Sequence, residues 1–177
     1  GASTQRAVLN FPIAHRPVGW EIIHAFALLK RDAAAVNNGL GKLDARRMIL
    51  ITKACNEILG MLEDNESRDD MMRHFPVDVF QTGSGTSTNM NVNEVVSNIA
   101  CIGAGSKIGA QDPVHPNDHV NMGQSSNDTF PTGMQIAASV HIKDSLIPAL
   151  KNLAKALSKK AKSFDGIVKI GRTHLQD

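Results

Sequence analysis

Hydrophobic positions recur along most of this chain at steps of three and four residues, the period of helices with one buried face. Ile22, Phe26, Leu29, Ala33, Val36 and Leu40 form the first stripe, and Gly39 and Gly41 supply stop signals. Asp44 is placed to cap the next helix, in which Met48, Ile51, Cys55, Ile58 and Leu62 keep the rhythm. The charged stretch Glu63 to Asp70 reads as surface, and Val77 to Phe80 as a short extended piece. A third helix is expected to begin within Gly83-Ser84-Gly85-Thr86 and to run through Val95, Val96, Ile99 and Ala100. Residues 103–127 are rich in Gly, Asp, Asn and Pro and lack an apolar period, which predicts a long connection, usually functional or mobile. From Asp128 to Phe164 the pattern predicts one very long helix striped by Leu146, Leu150, Leu153, Leu157, Ala161 and Phe164. Pro131 is expected in its first turn, where a missing N–H costs little, and Pro148 should kink it. So long a helix needs partners along its whole length.

A mainly α chain follows, and composition agrees. Hydrophobic residues make up 42% of the 177 positions, enough for a core, while aromatics are only 4%. Ala, Leu, Ile and Met must therefore pack the helices. The net charge of +2 favours a small-molecule site over a polyanion, and the Lys159, Lys160 and Lys162 cluster reads as a solvated helix face. Neither a nucleic-acid nor a membrane partner is expected. Cys55 and Cys101 lie far apart in apolar stretches, so they read as buried free thiols.

Four polar segments carry the candidate chemistry. In Thr82-Gly83-Ser84-Gly85-Thr86-Ser87-Thr88-Asn89, two glycines permit a sharp turn and hydroxyls follow at a helix start. First-turn N–H groups and the positive dipole end attract an anion there. The segment lacks the Gly-Lys-Ser/Thr of a phosphate loop and the third glycine of a dinucleotide fingerprint. Asn89 and Asn93 share a helix face, an amide pair suited to polar recognition or buried bonding. In the second segment, His115 and His119 have a metal-ligand spacing only if helical, and Pro116-Asn117-Asp118 argues for a turn and an anion or hydroxyl site instead. The third, Gln124-Ser125-Ser126-Asn127, again sets hydroxyls and an amide at a helix start. Two such helix beginnings offer two sets of neutral donors, as a small dicarboxylate requires. Neutral donors hold an anion and strengthen as one carboxylate gains charge during reaction. In the fourth, His174 between Thr173 and a short polar end is an acid/base candidate, because imidazole titrates near neutrality.

Taken together and in order, the motifs Gly-Ser-Gly-Thr-Ser-Thr-Asn-Met-Asn, His-Pro-Asn-Asp-His-Val-Asn, Gln-Ser-Ser-Asn-Asp-Thr-Phe-Pro-Thr and Gly-Arg-Thr-His-Leu-Gln-Asp resemble the fumarase/aspartase superfamily, most closely class II fumarases. The opening Ser-Thr-Gln-Arg and Asn10-Phe11-Pro12 fit as well, so the likeness covers nearly the whole chain. It implies an N-terminal helical lyase domain over residues 1–124, with a functional loop at 103–127, and the start of a central helix-bundle domain over 125–177. It further implies reversible hydration of fumarate to malate without metal or organic cofactor, by a soluble homotetramer of the cytoplasm or mitochondrial matrix. Ser84, Thr86, Ser125, Ser126, Asn127 and Thr173 would bind substrate carboxylates, and His174 would move a proton through a water. His115, Asn117 and Asp118 would form a second dicarboxylate site.

The sequence also departs from the family. The loop Gly-Ser-Ser-x-Met-Pro-x-Lys-x-Asn-Pro, which brings the serine base and a substrate-binding lysine, does not occur, so these residues by themselves are expected to turn over neither fumarate nor aspartate. Asp112 stands where a basic residue is common, and Met122-Gly123 where Lys-Ser is frequent. An aspartase is the nearer alternative, although Thr-Gly-Ser-Gly-Thr and Ser125-Ser126 favour a fumarase. A non-catalytic helical scaffold is the alternative of another class.

Overall fold

The computed structural model describes every residue except 172, 173, 176 and 177, and it is mainly α. Helices α1 (Ala2–Asn10), α2 (Trp20–Gly39), α3 (Ala45–Glu63), α4 (Arg68–Met72), α5 (Thr86–Gly103), α6 (Ser126–His141) and α7 (Ile147–Ser163) follow in order. Single π-helical turns occupy Pro116–Val120 and Ile142–Leu146. Among the described residues none forms a strand ladder. The expected extended piece near Val77 contributes one antiparallel bridge, between Pro17 and Asp78. The chain divides into two compact units, Gly1–Ala137 and Ala138–Asp177.

In the first unit α2 and α3 form a helical hairpin that packs on α5. Its corner is fixed by Asn37 O accepting from the Lys42 and Leu43 N–H groups, and by Asn38 Nδ2 donating to Leu43 O. Asp44 caps α3, its carboxylate accepting the Arg47 N–H at 2.9 Å. The α3 stripe is as expected: Ile51, Cys55, Ile58 and Leu62 are buried. The α2 stripe is not. Its buried face is Ile23, Phe26, Ala27, Lys30 and Ala34, while Val36 and Leu40 are 60% and 67% exposed. Apolar period alone pointed to a face that included Leu29 and Leu40; the face actually covered is the one small enough, at Ala27 and Ala34, for close approach. Each large side chain buried here, Phe26 among them, contributes roughly 1.5–3 kcal/mol.

Helix α1 has no apolar signature, and tertiary bonding holds it. The buried Glu94 carboxylate of α5 accepts from Ser3 N (2.8 Å), Thr4 N (2.9 Å) and Thr4 Oγ1 (2.6 Å), satisfying donors at the α1 start. The following segment is tied down in the same way: Asp78 Oδ2 accepts from Ala14 N and His15 N, and Oδ1 accepts from Phe80 N. Those N–H groups, Phe80 foremost, hold the Asp78 carboxyl below its ordinary range.

The long connection is more ordered than a structureless loop. Val114 is fully buried, and its carbonyl accepts from Ser97 Oγ at 2.6 Å. Pro116, expected to forbid a helix, occupies the first position of a π-turn, where no N–H is required of it. Helix α6 begins at Ser126, earlier than expected, so Pro131 lies inside it rather than in its first turn.

In the second unit, where a kink was expected at Pro148, the helix leaves α geometry just before the proline. The turn Ile142–Leu146 widens to π geometry one turn before the proline, which then occupies the start of α7. A proline ring clashes with the carbonyl four residues back, here that of Asp144, and the wide turn gives that carbonyl room. Leu146, Leu150, Leu153 and Leu157 are all at least half exposed. Among the described residues no helix is long and apolar enough to cross a membrane.

Candidate functional site

Helices α5 and α6 start side by side. Ser84 Oγ lies 2.8 Å from Thr86 Oγ1, which lies 2.8 Å from Ser126 Oγ, forming a chain of three half-buried hydroxyls across the two helix starts. Three O–H groups share two bonds, so one proton is always left to donate outward, and the chain can reverse its direction to supply it from either end. Ser125 and Asn127 flank the chain and are exposed, with Ser125 Oγ accepting the Asn127 N–H at 3.3 Å.

The helix-end donors themselves are largely used locally. Thr88 N donates to Gln81 Oε1 at 2.8 Å and Ser87 N to Thr82 Oγ1 at 3.4 Å. An anion here would therefore meet hydroxyls more than bare α5 N–H groups, a correction to what the glycine-hydroxyl pattern predicted.

Packing beneath fixes the spacing. Gly85, in the left-handed region at φ +67°, lies directly under the Phe130 ring: a Cβ there would come within 2.2 Å of ring carbons. Phe130 in turn meets Phe26 at 6.0 Å between centroids, and Gly133 lets α6 approach the same Phe26 ring. Glycine is thus needed at 85 for both its backbone and its missing side chain.

Below this lies a residue that sequence reasoning missed. Lys30 is fully buried, and its Nζ donates to Asn89 Oδ1 (2.7 Å), Asn121 Oδ1 (2.9 Å) and Gln124 Oε1 (2.8 Å). The amides cannot simply turn over, because Asn89 Nδ2 donates to Asn121 Oδ1, Asn121 Nδ2 to Gln124 O and Gln124 Nε2 to Val120 O. The network joins α2, α5 and the turn leading into Ser125. Burial pushes the Lys30 ammonium down to about 7, while three amide oxygens favour its charged form. Its signal was present: Ile23, Phe26, Ala27, Lys30 and Ala34 sit on one helical face. The expected amide pair is buried, with Asn89 in this network and Asn93 making no hydrogen bond to the described protein atoms.

At the second candidate site, His115 caps the π-turn. Neutral, its Nδ1 accepts the Asp118 N–H at 3.2 Å; protonated, the same nitrogen faces Asp118 Oδ2, also at 3.2 Å. His119 Nδ1 accepts the His115 N–H at 2.8 Å. Burial, then the Arg47 charge, lowers the His119 pKa. Arg47 stands beside this turn, donating to Pro113 O at 2.7 Å, and sequence reasoning had missed it as well. Asn117, Asp118 and Asp112 are exposed. No group of three His, Cys, Asp or Glu side chains suited to a metal occurs among the described residues.

His174 belongs to the second unit and is exposed, and Thr173 lies outside the described residues.

A mainly helical fold with paired hydroxyl-bearing helix starts defines a class, and comparison supplies its family. A lyase family model matches residues 1–177, and the chain belongs to that family. It is 53% identical over 180 residues to the mitochondrial fumarate hydratase of Saccharomyces cerevisiae, covering all of this chain and 35% of that protein. It is 51% identical over 178 residues to the class II fumarate hydratase of Campylobacter jejuni, covering 36% of it. Among solved structures, the class II fumarase of Schistosoma mansoni superposes with a TM-score of 0.89 at 40% identity, over all of this chain and 36% of that one. The chain thus spans little more than a third of the length of these relatives.

Proposed function

We propose that this chain supplies the N-terminal, substrate-binding portion of a fumarate hydratase. The observation that carries the reading is the hydroxyl chain Ser84–Thr86–Ser126, which sets neutral donors from two helix starts around one point. Ser84, Thr86, Ser126 and the flanking Ser125 and Asn127 hold the carboxylates of a small diacid. As a carbon-bound proton leaves, one carboxylate takes up charge, and donors already aimed at it gain strength without reorganising. Thr173 binds a substrate carboxylate and His174 relays a proton through water, assignments that rest on motif likeness alone. His115, Asn117 and Asp118 form the second dicarboxylate site. Residues 1–124 make up the lyase domain and 125–177 the start of a helix bundle, whose uncovered leucine stripe on α7 supports further helix packing; a homotetramer is the assembly that goes with this reading. A cytoplasmic setting, or a mitochondrial one as in the name of the yeast relative, goes with this reading.

The test is binding. In a nitrogen-15 NMR titration of the 177-residue chain, fumarate should shift Ser84, Thr86 and Ser126 saturably, aspartate should shift them less, and Thr86→Val should abolish the response. Loss of fumarate absorbance should not occur with this chain by itself. Fumarate shifts that avoid all three hydroxyls would sink the reading.

A further inference from the structure

A second polar element shares a groove with Thr86. Helix α1 runs antiparallel to α5: Ser3 and Thr4 bond Glu94, whereas Arg6 and Asn10 lie over the α5 start. Between the two helices is a groove of about 290 Å³, lined by Arg6, Asn10, Thr82, Thr86, Ser87 and Met90 among others. Among the described residues no carboxylate lines it, and the Arg6 side chain makes no ion pair or hydrogen bond. Among the described residues the guanidinium is the one charged group lining the groove. Around it stand hydroxyls and an amide, donors that suit the same ligand. The helix bearing it is no loose arm, because the buried Glu94 carboxylate fixes its first turn.

We propose that Arg6 is a carboxylate-binding residue of the dicarboxylate pocket, gripping one end of the diacid while the Thr86 hydroxyl serves the same ligand. The inference rests on the functional reading above and adds what that reading lacks, a positive charge. Hydroxyls alone discriminate poorly between a dianion and a neutral polar molecule, whereas a planar guanidinium takes a carboxylate through two parallel N–H bonds. A singly charged acid of the same length would lose either the Arg6 contact or the hydroxyl contacts, so Arg6 makes the pocket selective for diacids. The groove's volume corresponds to roughly ten waters, ample for a small diacid.

The experiment uses the 177-residue chain, with fumarate and, as a monoacid, crotonate, both titrated by NMR at constant ionic strength. Arg6→Gln should weaken fumarate binding about tenfold or more, weaken crotonate binding less, and so narrow the preference for the diacid. Arg6→Lys should recover part of the loss. Arg46→Gln, which removes an exposed arginine on α3, should change neither and so controls for net charge. Circular dichroism should be the same for all variants, since the Arg6 side chain is exposed. Arg6→Gln within about twofold of the parent, with Thr86→Val still abolishing binding, would overturn the inference and leave the functional reading standing. If Thr86→Val and Arg6→Gln are both without effect, or fumarate does not bind, both fall.

Discussion

Replacing Gly85 with alanine tests the packing that sets the hydroxyl chain. The residue has φ +67°, where a side chain costs about 1–2 kcal/mol. Its Cβ would also lie 2.2 Å from Cγ and Cδ2 of Phe130 and 2.6 Å from Cε2, so the ring must move. Phe130 is wedged against Phe26, and relieving such overpacking typically costs about 1–3 kcal/mol. Together these predict a loss of roughly 2–5 kcal/mol, a large share of a domain's usual ~5–15. Urea unfolding followed by the fluorescence of Trp20, the sole tryptophan, measures it. The two causes separate in a double-mutant cycle with Phe130→Ala. Removing the ring abolishes the clash but not the backbone strain, so the pair should couple by about 1–3 kcal/mol in the rescuing direction. A Gly85→Ala cost below about 1 kcal/mol, or an additive cycle, would refute the packing account.

Lys30 gives a pH test. Its folded pKa is lowered to about 7, so between there and 10.5 the unfolded chain binds the extra proton and stability should rise with pH. The gain from pH 7 to 9.5 is at most roughly 3 kcal/mol, reduced by the amide acceptors, and Lys30→Met should remove this slope from urea midpoints. Asp78 acts at the acid end: its folded pKa is depressed, so its stabilisation is present above the ordinary carboxyl range and lost as pH falls through the folded value. Asp78→Asn should flatten the acid limb of the stability curve, read by thermal melts between pH 2 and 5 (approximate limits). Both thiols are fully buried, and burial pushes Cys55 up to about 12, so a disulfide reagent should label Cys55 and Cys101 only in denaturant.

Periodicity made the helices legible wherever a helix has one apolar face and a signalled start. Asp44 and the α3 stripe are the clearest case, because cap and core face are both local properties. Helix α1 escaped notice since its stability comes from Glu94, ninety positions away, and no local pattern encodes a distant carboxylate. The α2 face was rotated because the sequence ranks leucine above lysine for burial, whereas three amide oxygens reverse that order for Lys30. At the site, the residue types and their places at helix starts were readable. That Thr86 meets Ser126 was not, since forty residues separate them and only tertiary packing joins them.

That separation also says which interactions hold the site and which remain available. A hydroxyl–hydroxyl bond contributes only about 1 kcal/mol net, too little to keep two helix starts in register. The register is held below, by Phe130 between Gly85 and Phe26 and by the Lys30 network that ties Asn121 and Gln124 to α5. Those contacts are buried and persist whether or not the hydroxyls bond one another. Ser84, Thr86 and Ser126 are therefore positioned by groups outside the proposed binding set, and on that proposal their mutual bonds can be exchanged for bonds to an anion at small cost. In the proposed pocket the neutral donors need such a platform: they stay weakly engaged with each other and stay fixed in place, so a carboxylate that gains charge would find them already aimed.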